Sequence, residues 1–254
     1  MSTIVMVVVA AALPVGPVRT SFAVDHCVDI ALKVQRRQPS AATVVEVIVP
    51  SVSSTMATVR VATAVYGTWW CGRPMSARIG GGGVRPLLQR RSGDGTTPAG
   101  VFPLGTMRAW DGRTFRMFGN SADPGVAAGP YRRVVAGDCF GATPHTARYG
   151  HLVRRTASTC VGPDEYLSAV RGAYEYAALI GANMEPAVSG DRIVEVPYAA
   201  AIFLHRHSYD WRGRTMSTGG CVSLAHADLL QVLRSLAPST YFAIGTADWL
   251  VAHV

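Results

Sequence analysis

The chain has 254 residues, 49% hydrophobic and 16% charged, with 26 Gly and 15 Pro. This excludes a disordered chain, allows a substantial core in one domain, and points to a turn-rich, strand-rich protein over a helical bundle. The formal net charge is +8, carried by arginines in scattered pairs (Arg36-Arg37, Arg90-Arg91, Arg132-Arg133, Arg154-Arg155) with Lys33 the one lysine; without an aromatic-interleaved basic helix, this argues against nucleic acid and leaves an anionic membrane or anionic polymer as partner.

Residues 4–13 form an apolar run too short to span a bilayer comfortably. Pro14, Gly16 and Pro17 break it, and Ser21-Phe22-Ala23 offers a small-x-small cleavage site. The expectation is a secretory signal peptide over 1–23, although no Lys or Arg precedes the run; a misassigned start or an internal apolar strand are the alternatives. Residues 24–42 read as a linker or N-terminal extension, with a short helix as the other option. Residues 44–49 and 57–66 read as strands, Val59, Val61 and Val65 sharing a face of the second. Trp69-Trp70 belongs in the core or at a sheet edge. The glycine run at 80–83 lacks the Gly-Lys-Ser/Thr ending of a phosphate loop and reads as a turn.

Gly93-Asp94-Gly95-Thr96-Thr97-Pro98-Ala99-Gly100 is a tight Gly/Pro turn feeding a strand at 101–104. Residues 120–130 are loop and 131–135 a short strand. The stretch between Cys139 and Cys160 reads as irregular, forming one wall of a cleft; its histidines, His145 and His151, are expected to be solvated. Residues 164–171 are expected to begin a helix capped by Asp164, and 174–180 is ambiguous by period. Residues 184–190 read as loop and 193–196 as strand. Residues 199–205 fit a buried strand on which Phe203, His205 and His207 share one face. Residues 223–236 are amphipathic at helical spacing, with Ser223 as cap and His226 structural. Residues 241–244 read as a closing strand.

The strand that ends in His205 is followed by a polar loop and by Ser217-Thr218-Gly219-Gly220-Cys221-Val222-Ser223. A thiol is a nucleophile only as its thiolate, and a histidine in reach can take the proton. Gly219 and Gly220 allow close backbone approach, so the amides of Gly220 and Cys221 are candidates for an oxyanion hole. The competing reading is an ordinary turn with a buried thiol and a satisfied core histidine.

His, a loop, then Ser/Thr-x-Gly-Cys and an apolar residue resembles the L,D-transpeptidase (YkuD-like) catalytic domain. His205, Thr218, Gly220 and Cys221 match that pattern position by position. The segment Thr97-Pro98-Ala99-Gly100-Val101-Phe102 is similar to the family's Thr-Pro-x-Gly-x-Phe, and weaker similarity runs from about residue 43 to 249. Two positions depart. The family often carries a second His where Gly219 stands and an Asn or Arg where Ser223 stands, which bears on substrate contacts and thiol tuning.

The resemblance implies a mostly β, β-sandwich-like catalytic fold over 43–254 with a few short helices. Tipped by it, 174–180 is assigned as strand. It implies Cys221 as nucleophile and His205 as base, in preference to its competitor His207, with His207, Thr218, Gly219 and Ser223 as substrate-binding positions. The carbonyl of Arg206 is placed to orient the histidine. The implied reaction is acyl transfer on peptidoglycan stem peptides: attack on the third residue of a tetrapeptide, release of D-Ala, and transfer to an amine that makes a cross-link. Water as acceptor would make it an L,D-carboxypeptidase. A carbapenem adduct is implied as well, and no metal, cofactor or nucleic acid. The protein is expected to be a monomer exported to the cell wall or periplasmic space. A non-catalytic cell-wall-binding protein on the same scaffold is the other reading. A papain-like hydrolase fits less well, because there the Cys precedes the His in sequence.

The chain has five cysteines and no Cys-x-x-Cys pair, so a structural zinc site is not expected. With Cys221 reactive, Cys27, Cys71, Cys139 and Cys160 are left to form two disulfides or to stay free, Cys139–Cys160 being the favoured pair. A histidine and a helix N-terminus beside Cys221, with only Asp210 and Asp228 near in sequence, predict a lowered thiol pKa and fast alkylation.

Overall fold

A computed structural model of the protein describes residues 26–91, 93–144, 146–182 and 201–254. The signal peptide expected over 1–23, His145, the loop at 184–190 and the strand at 193–196 lie outside the described residues.

Helix α1 (Cys27–Arg37) buries Ile30, Ala31 and Val34, and Cys27 is disulfide-bonded to Cys71. Of the two options for 24–42, the structure takes the short helix and packs it onto the sheet. β1 (Thr43–Ile48) and β2 (Met56–Val65) pair antiparallel. β1 is a β-branched run because it is covered on both faces: Val45 and Val47 enter one core cluster and Val44 another. On β2, Val59 and Val61 are buried while Val65 is exposed at the strand's end. β3 (Thr68–Cys71) folds back on β2, with Trp69 buried and Trp70 exposed. β4 (Met75–Arg78), β5 (Val84–Pro86) and β6 (Thr97–Pro103) follow. β7 (Met107–Arg108) and β8 (Thr114–Phe115) make a small ribbon.

β9 (Met117–Gly119) and β10 (Tyr131–Arg133) pair in parallel. The Cys139–Cys160 region is more ordered than expected. β11 (Asp138–Phe140), β12 (Leu152–Arg154) and β13 (Glu165–Tyr166) form a three-stranded sheet, tied by the Cys139–Cys160 disulfide. No helix is capped by Asp164. Its carboxylate instead accepts from the Ala142 and Thr143 amides, the Thr143 hydroxyl and the Arg148 guanidinium, holding the loop after β11.

β14 (Ala177–Leu179), β15 (Phe203–Arg206) and β16 (Val222–Leu224) bring the chain to its histidine and cysteine. Helix α2 (His226–Ser235), strand β17 (Thr240–Gly245) and helix α3 (Ala247–His253) close it. The large sheet runs β10-β9-β14-β15-β16-β4-β2-β1-β17-β6-β5, with β3 added on β2. β17 is thus no edge strand; it lies between β1 and β6. The protein is mostly β, with a mixed sheet and few helices. Leu229, Val232 and Leu233 of α2 cover one face of the sheet, while Ile30 and Val34 of α1 and Leu250 of α3 cover the other. Among the described residues no helix is long and apolar enough to cross a membrane.

Candidate active site

β15 and β16 are parallel neighbours, with His205 opposite Ser223. Ile202, Phe203 and Leu204 are buried, so this apolar run is an inner strand that delivers His205 near its end. Cys221 stands immediately before β16, two residues ahead of Ser223. Cys221 and His205 line one cavity of about 520 Å³, together with Arg90, Glu165, Tyr174 and Ala201. Ser217, Thr218 and Gly219 form part of its rim.

Two threonines fix the cysteine loop. Thr218 Oγ1 donates to the Cys221 carbonyl at 2.6 Å and accepts from the Gly220 amide at 3.1 Å. Thr97 Oγ1 reaches the same carbonyl at 3.5 Å and accepts from the Gly80 amide at 2.8 Å. The Gly81 amide donates to the Thr218 carbonyl, and the Thr218 amide to that of Ile79. The Thr-Pro turn, the glycine run and the cysteine loop are therefore one hydrogen-bonded unit. Gly220 has φ +140°, and a Cβ there would lie 2.8 Å from the Thr96 carbonyl oxygen. Glycine is required at that close approach. At Gly219 a side chain would meet open space.

His205 Nδ1 lies 2.7 Å from the Arg206 carbonyl oxygen. A carbonyl only accepts, so Nδ1 carries the proton and Nε2 the lone pair. Burial lowers the imidazole pKa to about 4, so the ring is neutral at neutral pH. The Cys221 thiol donates to the Ala201 carbonyl at 3.1 Å and accepts from the Phe203 amide at 3.4 Å. Ala201 holds φ +52°, a left-handed conformation that costs a non-glycine residue on the order of 1 kcal/mol. Among the described residues no hydrogen bond joins Cys221 directly to His205.

The expected lowering of the thiol pKa is overturned. Burial pushes Cys221 up to about 12, and the charge of Glu165 adds to the rise; the Phe203 amide and the Arg90 guanidinium oppose it and lose. Three facts produce the reversal. Phe118, Tyr174 and Phe203 pack edge to face in the aromatic cluster that buries Cys221. Cys221 leads into a strand, and the helix begins only at His226 with Ala225 before it, so Ser223 is not its cap. The acidic neighbour is Glu165, far away in sequence.

His207 Nδ1 and Ser223 Oγ are 2.9 Å apart, both buried, and neither is among the residues lining the cavity. His226 faces Glu175, whose carboxylate also takes the Arg206 guanidinium at 2.7 Å. Glu165, Tyr174 and Arg90 were not legible as site residues. Glu165 accepts from the Tyr174 hydroxyl, and burial raises both groups. Arg90 is 3% exposed; its Nε donates to Thr96 Oγ1 at 2.9 Å and its Nη2 to Asp94 Oδ1 at 3.4 Å, while its Nη1 has no partner. In the sequence its only signals are an arginine pair and a place just ahead of the Thr-Pro turn.

Among the described residues no group of three or more His, Cys, Asp or Glu is placed to hold a metal ion. Comparison of the chain with protein-family models, curated proteins and solved structures finds no match.

Proposed function

We propose that the protein is a cysteine acyltransferase of the L,D-transpeptidase type, acting on peptidoglycan stem peptides. One observation carries the reading. The one free cysteine among the described residues, just ahead of β16, and a neutral, carbonyl-held histidine on its parallel neighbour β15 line one cavity. The thiol and the imidazole rest as a neutral pair. As Sγ attacks the carbonyl of the third stem residue, its proton passes to His205 Nε2. The tetrahedral oxyanion forms beside the Cys221 amide, the Gly220 amide being engaged by Thr218. Collapse breaks the peptide bond, and the imidazolium protonates the departing amine of D-Ala. An acceptor amine then attacks the thioester, His205 taking its proton, and the thiol is restored.

The β-sandwich-like transpeptidase fold belongs to this proposal, and the mostly β mixed sheet with few helices supports it. Export to the cell wall or periplasmic space is supported by the Cys27–Cys71 and Cys139–Cys160 disulfides, which persist in oxidising compartments. The raised thiol pKa favours one second reading, a cell-wall-binding protein that holds stem peptides without acylation. Intact mass after incubation with a tetrapeptide donor separates the two. Acyl transfer adds the donor's acyl mass at Cys221 and releases D-Ala; binding with no mass gain leaves the binding protein.

A further inference from the structure

We propose that Arg90 is the carboxylate-binding residue of the cavity, its guanidinium taking an anionic group of the acyl donor. This rests on the stem-peptide reading and names the chemistry by which the donor is held.

Arg90 is a charged side chain with almost no exposure, and it lines the same cavity as Cys221 and His205. Its fork is under-satisfied. Nη1 has no partner, and Nη2 has only the long contact to Asp94. Asp94 is itself engaged by the Thr96 amide and hydroxyl and by the Arg91 amide, so it is not free to move onto the guanidinium. A buried guanidinium left half-bonded is costly, and a planar carboxylate is the group whose geometry matches its fork. The position suits a donor anchored next to the nucleophile: Nη2 lies 3.3 Å from where a Gly220 Cβ would stand.

The remaining charged groups of the wall fit the assignment. Among the described cavity residues Arg90 is the one guanidinium. Burial holds His205 neutral, and burial also shifts Glu165 toward its uncharged form while it accepts from Tyr174. An incoming carboxylate meets one guanidinium in that wall. A synthetic tetrapeptide with an acidic side chain on its third residue presents two carboxylates near the scissile bond, that of the leaving terminal residue and that of the third side chain.

The test measures binding to the Cys221→Ala protein, which cannot turn over, by calorimetry. Three synthetic tetrapeptides are compared: both carboxylates free, the terminal one as carboxamide, and the side-chain one as carboxamide. One of the two amides should bind about 10- to 100-fold more weakly, the usual worth of a charge-assisted pair, and which one it is identifies the source. In the Arg90→Gln/Cys221→Ala protein that discrimination should vanish, and Arg90→Lys should keep part of it. The Lys variant and the three-peptide comparison on the Cys221→Ala protein stand even where the Gln variant fails to fold. Equal binding of all three peptides, or discrimination that survives Arg90→Gln, overturns the Arg90 assignment alone. Failure of all three to bind overturns the stem-peptide reading and Arg90 with it.

Discussion

The carbonyl oxygen of Arg206 sits 2.7 Å from Nδ1 of the histidine that immediately precedes it. The orienting group of this histidine is therefore main chain, supplied where β15 ends. The Arg206 side chain turns away to Glu175, an ion pair on partly exposed groups, of a kind worth about 0–1 kcal/mol. His205→Ala should lower the rate of Cys221 acylation by about two to four orders of magnitude, the usual range for a general base. Arg206→Ala should keep most of the activity, because the carbonyl remains. His207→Ala should cost far less than His205→Ala, since His207 bonds to Ser223 behind the cavity. A larger loss from the His207 change would reassign the base.

Cys221→Ser should abolish acyl transfer and leave the fold intact, since a hydroxyl is much harder for a histidine to deprotonate than a thiol. Turnover at the wild-type rate in the serine protein, followed by D-Ala release, would remove Cys221 from the mechanism.

The two site groups set the pH behaviour with opposite windows. His205 has a folded pKa of about 4 against 6.5 for an unperturbed imidazole. Between those values the unfolded chain binds a proton that the folded chain lacks, so stability falls as pH drops from 6.5 toward 4, by up to about 1.4 kcal/mol per unit, and is flat above. Urea melts across that range should show a smaller slope in His205→Asn than in the wild type. Cys221 shifts the other way, from 9.0 to about 12. Above pH 9 the unfolded thiol ionises first and stability falls as pH rises. Alkylation of native Cys221 should be slow at pH 7 and climb about tenfold per pH unit, in line with the thiolate fraction. Fast alkylation at pH 7 would contradict the buried, protonated thiol.

The two adjacent glycines should respond differently. Gly220→Ala places a Cβ 2.8 Å from the backbone oxygen of Thr96 at φ +140°, and should destabilise by about 1–3 kcal/mol while displacing the Cys221 thiol. Gly219→Ala meets open space and should stay within about 0.5 kcal/mol. Thermal melts of the two variants check this, and equal effects would contradict the loop geometry.

Cys139→Ser should cost about 3 kcal/mol, since Cys139 and Cys160 close a loop of 21 residues' separation. β11, which carries Cys139, also pairs with β13, which carries Glu165 of the cavity wall. The variant should therefore lower acylation as well as the melting temperature. Unchanged melting under reductant would argue that the disulfide contributes nothing to the folded state.

Much of this protein was legible from local pattern. The β-branched run of β1, the alternation of β2, the apolar approach to His205 and the amphipathic spacing of α2 each encode their own burial, so a reading of periods finds them. The juxtaposition of Thr97-Pro98 and Thr218–Cys221 was visible as two motifs, though not as the hydrogen bond that joins them 124 residues apart. The pairing of Cys27 with Cys71, the place of β17 inside the sheet and the strand role of Ser223 depend on which elements become neighbours, and no local period carries that. The thiol's pKa is the clearest case. Sequence neighbours predicted a lowered value from a helix start that lies elsewhere. Desolvation by Phe203 and the surrounding aromatic rings, and the charge of Glu165, reach Cys221 only through the folded chain, and electrostatics depends on distance and dielectric in space, to which distance along the sequence is blind.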